Sequence, residues 1–196
     1  MIIIPKKFYI GDMHFSHKNI IRFDSRPFFT LDEMKRALID NWNSRVEKSD
    51  EVYVLGDMFW NNSEAPEILD ELNGKKFLLK GNHDHFNSNI EKRFEWIKKM
   101  ETVTDNGQKI VLCHFPIAHW QNQDYGTIHF YAHIHQGRDT RPYEMYQKMC
   151  LEMGIPFPAY NVGCMMPYMD YTPRTKDEII SGFNSWNCLR AKYGDN

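Results

Sequence analysis

Lys76-Phe77-Leu78-Leu79-Lys80-Gly81-Asn82-His83-Asp84 begins as an apolar run of strand length and breaks off into a glycine, an amide, an imidazole and a carboxylate. Short runs of this composition read as β-strands. The same pattern recurs along the chain. Phe8-Tyr9-Ile10 runs into Gly11-Asp12, Val52-Tyr53-Val54-Leu55 into Gly56-Asp57, Ile110-Val111-Leu112-Cys113 into His114, and Ile128-His129-Phe130-Tyr131 into Ala132-His133. Each run therefore delivers a polar, metal-friendly side chain to its own end.

Helical patterns lie between these strands. Leu31, Met34, Leu38, Trp42 and Val46 recur at near-helical spacing over 31–46, with Thr30 as N-cap and Glu33 completing a capping box. A second helix is expected over 63–72, capped by Ser63, with Pro66 in its first turn and Gly74 past its end. A third is expected over 89–99 on the stripe Ile90, Phe94 and Ile97, and a last one from Lys176 to about Leu189. Strands alternate with helices at first and then crowd into 102–135. That order predicts an α/β fold, a mixed β-sandwich flanked by helices, with the site where loops meet at the strand ends. Residues 136–160, with a short helical pattern over 143–153, read as an insertion or lid.

The 196 residues fit a single domain spanning 1–196. Hydrophobic residues at 42% and charged residues at 26% exclude a disordered chain. With 24 Lys+Arg against 26 Asp+Glu, the net charge of −2 advertises neither nucleic acid nor an anionic membrane as partner. The apolar run at the N-terminus is too short for a signal-peptide core, and no segment reaches the length of a membrane span. Cys113, Cys150, Cys164 and Cys188 are scattered without a CxxC pair, which predicts a reduced, cytoplasmic protein.

Asp12 and His14 are two residues apart, as are His133 and His135. On an extended segment such side chains share a side and can reach one ion. Asp57, Asn82 and His114 each follow a strand. Neighbouring strands would bring all seven side chains to a single rim. Four imidazoles, two carboxylates and one amide form a nitrogen–oxygen donor set that suits Mn²⁺, Fe, Zn²⁺, Co²⁺ or Ni²⁺ better than Ca²⁺ or a thiolate site. Seven donors are too many for one four-coordinate zinc and suit two ions sharing a carboxylate.

The ordered blocks Gly11-Asp12-Met13-His14, Gly56-Asp57, Gly81-Asn82-His83-Asp84, His114 and His133-Ile134-His135 resemble the calcineurin-like metallophosphoesterases. The resemblance covers residues 8–135. The tail around Asn161-Val162-Gly163 and Tyr171-Thr172-Pro173 is similar to the end of small bacterial and phage members. Singly, DxH or HxH is a weak motif; all five blocks in order are specific. The resemblance implies a four-layer αββα fold and two divalent ions, Mn²⁺ first among the candidates. Asp12, His14 and His135 would hold one ion, Asn82, His114 and His133 the other, with Asp57 bridging. His83 would protonate the leaving oxygen or donate to the phosphoryl group, and Asp84 would orient His83. The implied reaction is hydrolysis of a phosphodiester or phosphomonoester by a metal-bridging hydroxide, since water shared by two cations ionises near neutral pH. One position departs from the family: Ala132 stands where a glycine usually precedes the HxH pair.

His17, Lys18, Asn19, Arg22 and Arg26 follow the first block closely, and His17, Arg22 and Arg26 are candidate substrate contacts; the bland alternative is a solvated charged face. His119 and His129 are candidates for the rim, and His85 reads as a loop residue. Phe59, Trp60, Trp120, Tyr125 and Tyr131 are aromatic candidates for stacking on a base. The expected substrate is a small phosphate ester resembling a nucleotide. A nuclease acting on DNA or RNA ends is the alternative, disfavoured by the near-neutral charge. A catalytically silent scaffold of the same fold is a further one, against which the intact His83 argues.

Overall fold

Over residues 5–138 and 140–193, which a computed structural model describes, the chain forms two four-stranded sheets flanked by helices. The N-terminal run Ile2-Ile3-Ile4 lies outside those residues. The first sheet is parallel throughout, in the order β1 (Lys7–Ile10), β2 (Glu51–Val54), β3 (Lys75–Leu79) and β4 (Trp96–Lys98). The second is mixed. β5 (Met100–Asp105) pairs antiparallel with β6 (Gln108–Cys113), and β7 (Ile128–Tyr131) and β8 (Ala159–Asn161) continue in parallel.

Strands covered on both faces carry no alternation of apolar and polar residues, and β1 accordingly buries Phe8, Tyr9 and Ile10 in succession. Tyr9 ties the sheets together. Its ring packs edge-on against Phe130 of β7 at 4.9 Å, and its hydroxyl donates to Asp105 of β5 at 3.0 Å. Around the sheets lie α1 (Ile20–Phe23), α2 (Leu31–Asn43), α3 (Ala65–Glu71), α4 (Ser88–Glu91), α5 (Thr140–Glu152) and α6 (Lys176–Tyr193), the last against β1 and β8.

The start of α2 follows its sequence signature. The Thr30 hydroxyl accepts from the Glu33 amide at 3.1 Å, while the Glu33 carboxylate reaches back to the Phe29 amide at 2.7 Å. Its buried stripe is Met34, Leu38, Ile39 and Trp42. Each such aliphatic side chain contributes about 1.5–3 kcal/mol on burial.

Three expectations change. Ser63 does not cap α3: its amide donates to the Asn61 side chain, and the helix begins at Ala65 with Pro66 in the first turn. The helix expected over 89–99 is one turn, α4, capped by Asn87, followed by strand β4. Ile90 and Phe94 are buried as the helical spacing requires, but pairing of Trp96 and Ile97 with Phe77 and Leu78 offers the backbone more than a further helical turn. The third is 136–160: the stretch read as an insertion or lid supplies α5 and reaches into β8 of the second sheet. Cys150 and Phe157 are buried in a second apolar cluster with Val111, Trp120, Tyr131 and Ala159, against which Tyr143 and Tyr146 of α5 pack. All four cysteines are free thiols, and Cys113 is buried, with the pKa of its thiol pushed up by that burial.

Candidate metal centre

The loops after β1 and β2 run side by side beyond the strands. The Asp12 amide donates to the Gly56 carbonyl, that of His14 to Asp57, that of Phe15 to Met58, and that of Trp60 to Phe15. In these loops Asp12, His14 and Asp57 take left-handed backbone conformations with φ of 53°, 51° and 49°; His133 does the same at 68°. The extended geometry expected for Asp12-Met13-His14 is therefore absent. The two side chains still converge, with left-handed Asp12 and His14 on either side of Met13. Such conformations cost about 1–3 kcal/mol each and gather at functional sites; here the interloop hydrogen bonds hold them.

All seven expected donors meet at this rim. Asp12, His14 and His135 offer atoms within 4.8 Å of one another, and so do Asp57, His114 and His133. Asn82 joins the second group, its Oδ1 lying 3.1 Å from His114 Nε2. Asp57 connects the groups: its Oδ2 lies 3.9 Å from His14 Nε2 and 3.5 Å from His114 Nε2. Asp12 Oδ2 accepts the His133 amide and Asp57 Oδ1 the His83 amide, both at 2.9 Å. Asp57 thereby keeps its Oδ2 for the centre, whereas on Asp12 the anchored Oδ2 is also the oxygen that lies 3.7 Å from His135 Nε2.

Close approach explains two small residues. A Cβ on Gly81 would overlap the Asp57 carboxylate. Ala132 is fully buried, and a Cβ on Gly11 would stand 2.7 Å from its methyl. Gly11 thus yields the space that lets alanine replace the family's usual glycine.

The donors are shifted in both directions: against the downward pull of burial, neighbouring carboxylates raise His114 and His135. Burial holds His14 down to about 2, leaving a neutral imidazole with a free lone pair at neutral pH. Burial pushes Asp12 up to about 6, against the pull of His135 and His114. Burial acts upward on Asp57 as well, but the hydrogen bond and charge of His114 outweigh it and bring the carboxyl down to about 2. Asp12 Oδ1 and His14 Nδ1 are buried without a hydrogen-bond partner. Unpaired buried polar atoms are costly, but His14 turns Nε2, not Nδ1, toward Asp57 and His135; the fit to divalent ions lies in the nitrogen–oxygen donor set of the two groups.

Two imidazoles are oriented from behind. His114 Nδ1 donates to the Leu55 carbonyl at 2.7 Å, and His135 Nδ1 to Asp24 Oδ1 at 2.7 Å, which turns each Nε2 toward the centre. Asp24 escapes the motif reading, lying in a turn with no strand before it. Its other oxygen is held by Arg26 Nε and Nη2 at 3.1 and 2.9 Å. Arg26 is only 4% exposed and also donates to the carbonyls of Asp12 and Met13, each at 2.8 Å. It is a strut under the first loop, not the substrate contact expected of it. Replacement of Asp24 by Asn should weaken metal binding at the Asp12–His14–His135 group about 10–100-fold, the usual cost of losing such a support. Calorimetric titration with Mn²⁺ measures this, and an unaltered isotherm would refute it.

Asp84 also departs from expectation. Its buried carboxylate accepts the amides of Asp57, Met58 and Gly81 at 2.8–3.0 Å. All of its hydrogen bonds here go to backbone, so it staples the second and third loops together and does not orient His83. His83 itself lies at the rim, its side chain 38% exposed and Nε2 3.9 Å from Asp57 Oδ2. His17 sits beside the site, its ring 5.7 Å from that of His14 and its Nδ1 accepting the Ile20 amide. Arg22 is exposed on α1, over the Phe23 ring. His129 is a core residue bonded to the Val111 carbonyl, and His119 pairs with the Tyr146 hydroxyl. Of the aromatic candidates, Phe59, Trp120 and Tyr131 are buried and Tyr125 is exposed, while Trp60 packs on His83 at the rim.

The family model described as calcineurin-like phosphoesterase matches residues 8–149. An uncharacterized protein of Methanocaldococcus jannaschii is 37% identical over 132 residues, 65% of this chain and 69% of that one. The crystal structure of a protein of unknown function from Aquifex aeolicus superposes with a TM-score of 0.69 at 22% identity, covering 91% of this chain and 99% of that one. It shares the fold.

Proposed function

The chain belongs to the calcineurin-like phosphoesterase family, and on that premise we propose that it hydrolyses phosphodiesters or phosphomonoesters with two divalent ions, Mn²⁺ foremost. The carrying observation is the free oxygen of Asp57, which faces His14, His114 and His83 at 3.5–3.9 Å. A single carboxylate oxygen shared by two nitrogen-rich groups is the arrangement that a dinuclear centre needs.

In this reading Asp12, His14 and His135 hold one ion and Asn82, His114 and His133 the other, with Asp57 between them. Divalent ions held by these residues would lower the pKa of a water toward neutral and offset charge on the phosphoryl oxygens. The remaining work falls to protein groups. His83 Nε2 faces the same space from the solvent side and donates a proton to the departing oxygen. The Asp84 staple and the Arg26 strut hold the loops so that the donors do not reorganise during the reaction. Asn82 adds a donor without adding negative charge, which favours an anionic substrate. A small substrate resembling a nucleotide fits the net charge of −2 better than a long nucleic acid does. No described helix is long and apolar enough to cross a membrane.

Chelation tests this reading. Purified protein should carry two ions per chain, lose hydrolysis of nitrophenyl phosphate esters on treatment with a chelator, and regain it with Mn²⁺. Protein that neither binds two ions nor hydrolyses any ester after Mn²⁺ is added would overturn the proposal. Monoester, diester and cyclic nucleotide substrates compared side by side then fix the bond type.

A further inference from the structure

A continuous strip of side chains leads away from His83 along one side of the site. The Trp60 ring packs 4.7 Å from that of His83 and 4.0 Å from that of His17. The His17 ring meets Phe23 edge-on at 6.1 Å, and the Arg22 guanidinium lies over Phe23 at 5.4 Å. Arg22 also lines a groove of about 620 Å³ together with Lys18, Asn19, Ile21, Phe29 and Thr30. Trp60 is 51% exposed and Phe23 62%. Large aromatic side chains half open to solvent beside a polar centre forgo their own burial. The strip is thus aromatic next to the site and ends in Arg22, which it shares with the groove that Lys18 also lines.

We infer that this strip is a subsite for a nucleotide: the base next to the scissile phosphate stacks on Trp60, and a second phosphate enters the groove beside Lys18 and Arg22. The inference rests on the phosphoesterase reading above and narrows its substrate to esters that carry both a planar base and a further phosphate. Aromatic stacking tolerates every base, because each has a π-face. The subsite therefore selects for the presence of a base and not for its identity. His17 fits the same role, its ring packed behind Trp60 and held there by the Ile20 amide that donates to Nδ1.

The test compares two diesters on the Mn²⁺-loaded protein, a dinucleotide with a terminal phosphate and an alkyl glycerophosphodiester without a ring. Wild type should prefer the dinucleotide. Trp60→Ala should lower the ratio of the two kcat/KM values roughly tenfold, within the range that loss of one base stack supports, and the change should lie in KM more than in kcat. Trp60→Phe should recover most of the ratio. Arg22→Ala should raise KM for the dinucleotide with the terminal phosphate more than for the same dinucleotide without it. An unchanged ratio in Trp60→Ala, or a Phe variant as poor as the Ala variant, would overturn the subsite. So would a wild type that cleaves the alkyl ester and leaves the dinucleotide intact. Failure to cleave either ester would instead overturn the phosphoesterase reading itself, so the two failures are distinguishable.

Discussion

Asp57→Asn is expected to strip most of the bound metal and to reduce ester hydrolysis by roughly 10³-fold or more, at the upper end of what removing one electrostatic stabiliser costs. The substitution conserves shape. The amide oxygen can still accept the His83 N–H that Asp57 Oδ1 accepts at 2.9 Å, and the Asp84 staple across Asp57, Met58 and Gly81 is untouched. What changes is the other atom. An NH₂ would stand where Oδ2 now lies 3.5 Å from His114 Nε2 and 3.9 Å from His14 Nε2. It would turn two donor hydrogens toward the ligand nitrogens and remove the negative charge shared by the two groups. Both ions should suffer, because both groups use this oxygen. Metal content by elemental analysis and circular dichroism on the same sample check the result. A folded variant that retains two ions and wild-type turnover would exclude Asp57 as the shared ligand. Loss of one ion alone would restrict it to a single group.

That a conservative change at one atom carries so much follows from how the loops are built, and this is also where the sequence was readable and where it was not. β1, β2, β3, β6 and β7 are legible because each apolar run stops at the rim, and chain order alone sets the polar residues at the strand ends. β4 is hidden, since Ile90, Phe94 and Ile97 fit a helical stripe and only pairing with Phe77 and Leu78 makes 96–98 a strand. β8 is three residues behind a proline, too short to leave a pattern. The seven candidate donors are picked out by their positions, although at Asp12 and His14 the backbone is left-handed and not the extended segment that the local reasoning assumed. Asp24 and Arg26 are beyond sequence reasoning for a physical reason. Asp24 meets His135 across 111 positions of chain, and a buried arginine cannot be told from a solvated one without its three acceptors in view. Charged residues are exposed so often that the solvent-facing assignment of Arg26 is the natural one.

The support beneath the centre also bears on what the rim residues are free to do. Asp12, His135 and Asp57 are each held by a partner outside their own group: the His133 amide, the Asp24 carboxylate and the His83 amide. The His83 ring, by contrast, has its backbone anchored and its side chain partly open, with Trp60 as its neighbour. Positions fixed on all sides suit ligands, whose geometry must not change. A ring with one open face suits a group that must meet a substrate.

His83→Ala should therefore retain both ions and lose roughly 10²–10⁴-fold in turnover, the range that a positioned acid supplies. Retention of metal is expected because the bond from the residue 83 amide to Asp57 Oδ1 is made by backbone and survives the substitution. The chemistry separates two roles for the lost imidazole. If His83 protonates the leaving oxygen, the loss grows with the basicity of the departing alcohol, being severe for an alkyl ester and slight for a nitrophenyl ester, whose anion departs without a proton. If it donates to the phosphoryl oxygens instead, the two esters lose rate in similar proportion, since the transferred group is the same in both. Measuring turnover of the variant on a series of esters of rising leaving-group pKa, with metal content checked alongside, distinguishes the two. A steepened dependence on leaving-group pKa assigns the acid to His83, a parallel displacement assigns it the phosphoryl contact, and metal loss would move His83 from the solvent edge of the site into its ligand set.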